Sequence, residues 1–233
     1  IVPFGNPQNL YLYSYYGLDL GDFLAAMALP FALSTAGIVA CTWWLCGQSN
    51  GSCGRDDTRS LAVPMPLSRR RLAIYGALVA LTLLAVFRIV PVAAAVAVVA
   101  AALAALDRRA LAAVDWGLLA TFACFFVFAG NLARVPEVSA WLSPLMADHG
   151  LLVSAGLSQI ISNVPAAVLL SHFTGAWQPL LVGVNIGGAG TLVGSLASLI
   201  TLQHFTSVRK IFPRATALPE LSTGRFLALF SVL

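Results

Sequence analysis

The sequence predicts an all-α integral membrane protein built around a hairpin that dips into the bilayer and a broken transmembrane helix. Three observations carry that expectation. First, 59% of the 233 residues are hydrophobic and 9% are charged, whereas a soluble domain carries about 25% charged residues to cover its surface. Second, residues 156–201 form one apolar stretch interrupted twice, by Ser162, Asn163 and Pro165 and then by Gly187, Gly188 and Gly190. Third, the thirteen Lys and Arg residues are spread unevenly over the polar loops.

An interrupted apolar segment leaves backbone groups without helical partners. Such groups survive at membrane depth only where protein or a water-filled cavity surrounds them. Half-helix ends facing a polar cavity near the midplane are the construction of a transport site. The net charge of +4 reflects arginines flanking membrane segments and is no sign of nucleic-acid binding. Cys41 and Cys124 lie in apolar runs, and Cys46 and Cys53 flank a Gly/Ser-rich loop. Without CxxC spacing or paired histidines they read as structural thiols, not metal ligands.

Residues 1–16 combine Gly, Asn, Pro and Gln with Tyr11, Tyr13, Tyr15 and Tyr16, a density that suits an interfacial belt. Residues 22–46 are long enough to span, with Pro30 inside and Trp43 and Trp44 near the far end. A polar loop at 47–71 follows, holding Arg55, Arg59, Arg69, Arg70 and Arg71. Two apolar runs, 72–87 and 91–106, are separated only by Arg88, Ile89 and Val90 and predict a helical hairpin. Asp107 and Asp115 have the chemistry of helix caps around the basic segment 107–114. Residues 115–130 predict another span, and 131–149 a short amphipathic helix in the interface. A basic segment with Arg209, Lys210, Arg214 and Arg225 and a short apolar run from Phe226 close the chain. Beginning at Ile1 and ending in that short run, the chain reads as a fragment of a longer protein.

Charge fixes the topology. With loop 47–71 in the cytoplasm, a segment around 151–174 that enters and leaves on the outer side puts eleven of thirteen basic residues inside, in groups of five, two and four. A full crossing there would put the last four outside. Residues 177–204 then cross as a helix broken at the glycines, while 1–16 climb outward. GNPQNL at 5–10 matches GSLASL at 194–199 in the placing of Gly, two small polar residues and Leu. Two copies that traverse oppositely are the mark of inverted repeats. The expected organisation is the end of a first repeat at 1–16, connecting helices and loop at 17–106, and a second repeat at 107–233.

SNVPA at 162–166, NIGGAGTLVGSLASL at 185–199 and GNPQNL at 5–10 resemble the signature segments of the ion transporter superfamily. That group includes sodium-coupled di- and tricarboxylate symporters, citrate transporters, arsenical pump membrane proteins and related anion permeases. The resemblance covers nearly the whole chain. It implies the inverted-repeat ion-transporter fold, with the first repeat largely missing here, and substrate held between hairpin tips. It also implies a homodimer assembled through a scaffold in a bacterial plasma membrane.

The binding residues it implies are Asn6, Gln8 and Asn9; Ser162, Asn163, Val164 and Pro165; and Asn185, Gly187, Gly188, Gly190, Thr191, Gly194, Ser195 and Ser198. A sodium ion is expected near Ser162, Asn163, Gly190 and Thr191, and no other cofactor. Carboxylate members read Ser-Asn-Thr at the tip. Val164 stands in the third place here, which leans towards the arsenical-pump and citrate-like branches.

No Asp, Glu, Lys or Arg lies between Leu151 and Gln203. An ion in this region is therefore held by carbonyls, amides, hydroxyls and helix ends. The function expected is secondary active transport of a small anion, a carboxylate or arsenite-like oxyanion, coupled to sodium or protons by alternating access. Two alternatives are kept. A cation/proton antiporter needs a midplane carboxylate, and none is visible. An intramembrane hydrolase needs Ser162 or Ser195 within reach of His172 or His204, and the predicted topology puts those histidines near opposite surfaces. A non-enzymatic role is the expectation.

Overall fold

The computed structural model describes residues 2–48, 68–189 and 191–211. Gly190, most of loop 47–71, Arg214, Arg225 and the apolar run from Phe226 lie outside the described residues. Among the described residues every regular element is helical. The chain divides into two units, residues 53–119 and the rest.

In the larger unit a 3-10 turn at Pro3–Gly5 leads into α1, Pro7–Tyr15. Pro7 suits the first helical position because its missing N–H would have no helical partner. The helix ends at Gly17 (φ 64°), where the Leu18 N–H reaches the Tyr13 carbonyl at 3.1 Å. That left-handed residue closes the helix as glycine does most readily. Next, α2, Leu20–Gln48, contains Pro30. Its first 25 residues, Leu20–Trp44, are long and apolar enough to cross a bilayer, at about 37 Å. Leu29 and Trp43 on it are 68% and 82% exposed, a surface suited to hydrocarbon.

The sequence leads to a short amphipathic helix over 131–149 followed by a separate hairpin, and the helical run there is broken at His149. After α6, Trp116–Leu132, the chain bends by 97° into α7, Pro136–Ile161. Within α7, His149 is non-helical (φ −132°, ψ 31°), so a kink separates two helical arms. The first arm buries Leu142 and Met146 one turn apart and exposes Trp141.

The second arm ends at Ser162, and α8 follows at Asn163–Leu170. Then comes α9, Trp177–Gly187, beside the second arm of α7 and running the same way. A Cβ on Gly150 would meet Pro179 at 3.6 Å, one on Gly183 would meet Ser154 at 2.7 Å, and one on Gly187 would meet Ser158 at 2.8 Å. Since α9 starts beside Gly150, the chain has returned from Ser162 to the level it left. The second arm of α7 and α8 therefore form a hairpin with its tip at Ser162.

This close approach has a sequence basis. Gly183 and Gly187 lie one turn apart on α9 and face Ser154, Ala155 and Ser158 on α7, a small-residue seam that lets backbones touch. The Ser154 and Ser158 hydroxyls donate to their own helix, at the Gly150 and Ser154 carbonyls (2.6 and 2.8 Å), so neither is left unpaired. Helix α8 is the centre of the core: Ala166, Ala167, Val168 and Leu170 are all but inaccessible, enclosed by α1, α7 and α9.

The tyrosines depart from a simple belt. Tyr13 is buried against Phe23, and the Tyr16 hydroxyl lies 2.7 Å from the Thr174 carbonyl and 3.2 Å from that of Ser171. Tyr11 hydrogen-bonds the Ser171 hydroxyl at 2.8 Å. These rings tie α1 to the returning end of the hairpin.

In the smaller unit, α3, Arg69–Val86, and α4, Val92–Leu106, form the expected hairpin. The turn has Arg88 in the left-handed region (φ 60°), with Ile89 N–H on the Leu84 carbonyl at 2.9 Å. Asp107 caps the short α5, Arg108–Ala112, through the Ala110 N–H, and Asp115 caps α6 through that of Leu118. At 15 and 17 residues, α4 and α6 are about 22 and 25 Å long and match the apolar runs at 91–106 and 115–130 to within two residues at either end.

Candidate functional site

The site grows from the hairpin tip. Ser162 adopts φ 78°, ψ 152°, a conformation that strains any residue but glycine. It closes one helix and opens the next: its N–H donates to Ser158 and its carbonyl accepts from Ala166. Asn163, 6% exposed, is the first residue of α8. Its backbone N–H donates to the Gly194 carbonyl at 2.9 Å. A Cβ on Gly188 would sit 2.7 Å from the Asn163 amide nitrogen. The glycine is thus the floor on which the asparagine side chain lies.

Gly188 opens the break between α9 and α10, Leu196–Ile211. The Gly194 N–H turns back to the Thr191 hydroxyl at 3.0 Å. The Ser195 hydroxyl accepts the Ser198 N–H at 3.2 Å, the standard cap of a helix start. The Ser198 hydroxyl donates to the Gly188 carbonyl at 3.3 Å and pairs with Ser195 at 2.8 Å. Ser195 and Ser198 are both buried.

The start of α1 meets the same end of α9. Asn185 donates to the Asn9 side-chain carbonyl at 2.7 Å and to Leu181 at 2.8 Å, while Gln8 reaches the Asn185 oxygen at 3.5 Å. Gln8 and Asn9 are buried despite their polarity. In GNPQNL and GSLASL alike the helix starts at the third residue, and the fifth bonds the carboxyl end of α9, Asn9 at Asn185 and Ser198 at the Gly188 cap. Because Asn9 lies beside Asn185 and Tyr16 beside Thr174, α1 runs opposite to α9.

The expected residues therefore separate into groups. Asn163, Gly188, Gly194, Ser195 and Ser198 form one buried cluster, with Ser162 half-exposed at its edge. Gln8, Asn9 and Asn185 adjoin it. Thr191 is exposed, Asn6 is exposed and makes no cap bond, Val164 is half-buried and Pro165 is core. Gly187 faces Ala155 and Ser158 of α7 and serves packing. Gly190 lies outside the described residues.

Gln159 belongs to this site and was missed. Its amide nitrogen donates to the Ala189 carbonyl, and its side-chain oxygen is enclosed without a hydrogen-bond partner. A lone glutamine in an apolar arm three residues before Ser162 was the available signal.

The hydrolase geometry is absent. Ser162 and His172 stand at opposite ends of α8, about 12 Å long, and the His172 Nδ1 lies 2.8 Å from the Val168 carbonyl. Ser195 pairs with Ser198, while His204 is exposed more than two turns along α10.

Comparison with known proteins places this arrangement. The model of the citrate transporter family matches residues 1–180. The chain belongs to the citrate transporter family. As a member it is an all-α integral membrane protein, and this membership argues for transport and against hydrolysis. It is 33% identical over 207 residues to Inner membrane protein YbiR of Escherichia coli, covering 87% of this chain and 54% of that protein. It is 34% identical over 204 residues to an uncharacterized transporter of Methanocaldococcus jannaschii, covering 87% and 53%. An uncharacterized transporter of Mycobacterium tuberculosis is 26% identical over 232 residues, covering 85% and 54%. The chain thus spans about half the length of the curated relatives it matches. No solved structure matches it. The family match takes in α1 to α8 and stops at the first turn of α9, short of the glycine break.

Proposed function

We propose that the protein is part of a secondary active transporter for a small anion, with Asn163 at the centre of the binding site. The observation that carries this reading is the buried contact of Asn163 with both Gly188 and Gly194, which joins a hairpin tip to a helix break. Such contacts place amide donors and helix amino ends around one point with no formal charge nearby. An anion is received there by N–H groups and by the partial positive charge of helix starts. The oxygens of Ser162, Thr191 and the glycine break offer a sodium ion the uncharged ligands it accepts at unwound helices. With Val164 at the tip, the substrate class is a citrate-like carboxylate or an arsenite-like oxyanion. In transport, the hairpin and broken helix move as one body against the scaffold helices.

The test is uptake of labelled citrate and of arsenite into proteoliposomes by the full-length protein, with and without sodium and pH gradients. Gradient-dependent, saturable uptake that Asn163→Ala abolishes while thermal unfolding is unchanged supports the assignment. Wild-type uptake by a folded Asn163→Ala protein refutes it. Crosslinks that fix the hairpin to the scaffold without slowing uptake refute the moving-body mechanism.

A further inference from the structure

The smaller unit carries a second feature that anion transport does not use. Between α3 and α4 lies a cleft of ≈ 300 Å³ whose lining changes character along its length. At one end are Ser68, Arg70 and Arg71, at the start of α3; further along α3 and across on α4 the walls are Ile74, Leu78 and Leu103. Arg71, Ile74, Tyr75 and Leu78 follow the three- and four-residue spacing of one helix face. The cleft is therefore polar and cationic at one end and apolar beyond.

Among the described residues, Asp107 is the acidic group at the cationic end; it accepts from the Tyr75 hydroxyl at 2.6 Å and the Ala110 N–H at 3.1 Å and also attracts Arg71, one charge against those of Arg70, Arg71, Arg108 and Arg109. Arg108 and Arg109 follow it on α5, and the Arg108 Nε donates to the Ala104 carbonyl. This end of the helical pair thus carries an excess of positive charge. The loop charges assign it to the cytoplasmic side, the leaflet that holds anionic lipid.

We propose that this cleft binds an anionic phospholipid, with the phosphate between Arg70 and Arg71 and the first acyl carbons along Ile74, Leu78 and Leu103. Charge complementarity selects an anionic headgroup. The apolar wall that continues from the arginines, in an integral membrane protein, selects a lipid over a free anion. Two membrane-surface arginines contribute roughly 20- to 30-fold in preference for an anionic over a zwitterionic lipid.

The experiment uses the full-length protein in detergent, with lipid retention read by native mass spectrometry and stability by thermal unfolding. Probes are phosphatidylglycerol, phosphatidylcholine and inorganic phosphate. The expected result is retention and stabilisation by phosphatidylglycerol, little by phosphatidylcholine and none by millimolar phosphate. The R70Q/R71Q variant should lose the preference roughly 20- to 30-fold while unfolding like wild type in phosphatidylcholine. Leu78→Trp, which fills the apolar part and keeps both arginines, should also lose it. Equal retention of both lipids, or an undiminished preference in either variant, overturns the proposal. Stabilisation by phosphate equal to that by phosphatidylglycerol overturns it as well, in favour of a soluble-anion site.

Discussion

Two adjacent glycines allow binding to be separated from packing. A methyl group at position 188 would lie 2.7 Å from the Asn163 amide nitrogen and no closer than 3.3 Å to the nearest backbone atom. Relief needs the amide to move by roughly 1 Å, to an ordinary contact distance, and the far end of a side chain can do that. Gly188 has ordinary helical dihedrals (φ −72°, ψ −16°), so alanine adds no backbone strain. The fold should therefore keep its stability to within about 1 kcal/mol. The displaced amide would lose the hydrogen bond proposed for it to the substrate, and a bond to a charged group contributes about 1.5–3 kcal/mol. Gly188→Ala should then weaken binding by roughly 10- to 150-fold. Gly187→Ala is the control, because its methyl group would strike the Ala155 carbonyl and, at 2.8 Å, the Ala155 Cα and Ser158 Cβ. Those groups cannot step aside, so it should cost about 1–3 kcal/mol or more of stability. The assay pairs thermal unfolding with substrate affinity measured from concentration-dependent uptake. Should Gly188→Ala unfold as early as Gly187→Ala while its surviving protein binds substrate normally, the Asn163–Gly188 contact is packing and the proposed site is wrong.

Three further outcomes follow from the geometry. Ser162→Gly removes backbone strain of about 1–3 kcal/mol against the greater chain entropy of glycine; unfolding should shift upward while uptake falls, and an earlier unfolding would show that the tip is not strained. Tyr16→Phe removes the hydroxyl shared by the Ser171 and Thr174 carbonyls, so unfolding should fall by about 2–4 °C for each kcal/mol of roughly one lost; an unchanged midpoint would mean that α1 does not secure the hairpin. The Tyr75 hydroxyl, with the Ala110 N–H, holds the Asp107 carboxyl below its ordinary range. Its stabilisation is present above the ordinary carboxylate range and fades as pH falls through the lowered value. Asp107→Asn should flatten that acid limb in thermal scans, and a superimposable pH profile would contradict the assignment.

Local signals were legible because they act over a few residues. Arg88 to Val90 between two apolar runs, and the caps at Asp107 and Asp115, follow from turn and helix-end chemistry alone. The reversal at Ser162 came from combining a local break with the charge of distant loops. What could not be read is what depends on which face of α9 meets α7. Gly187 and Gly188 are neighbours in sequence, yet one packs against Ala155 and the other supports Asn163, a division set by about 100° of helical rotation. For the same reason Gly183, as tightly packed as Gly187, escaped notice. The tyrosines of α1 suit an interface by composition, and only the path of the hairpin turns Tyr11 and Tyr16 towards Ser171. The boundary near His149 was legible in the change of polarity there, and the backbone leaves helical dihedrals at that residue.

The balance of helix ends bears on coupling. The starts of α1, α8 and α10 bring about half an elementary charge each at most, and the ends of α7 and α9 at the same level return about half a negative charge each. The net field is then roughly half a positive charge, and no ionised side chain between Leu151 and Gln203 adds to it. We propose that a neutral or monovalent substrate is matched by the part of the site that this chain supplies. A di- or trivalent carboxylate is not, because the uncompensated charge would sit in a low-dielectric region where it is costly. Cations must accompany it, and the two carboxyl ends together with the oxygens of the glycine break are where they would be received. Uptake of a multivalent carboxylate should therefore depend steeply on the coupling cation, and uptake of a monovalent oxyanion much less. If both showed the same cation dependence, the cation would be driving a conformational change and not balancing substrate charge.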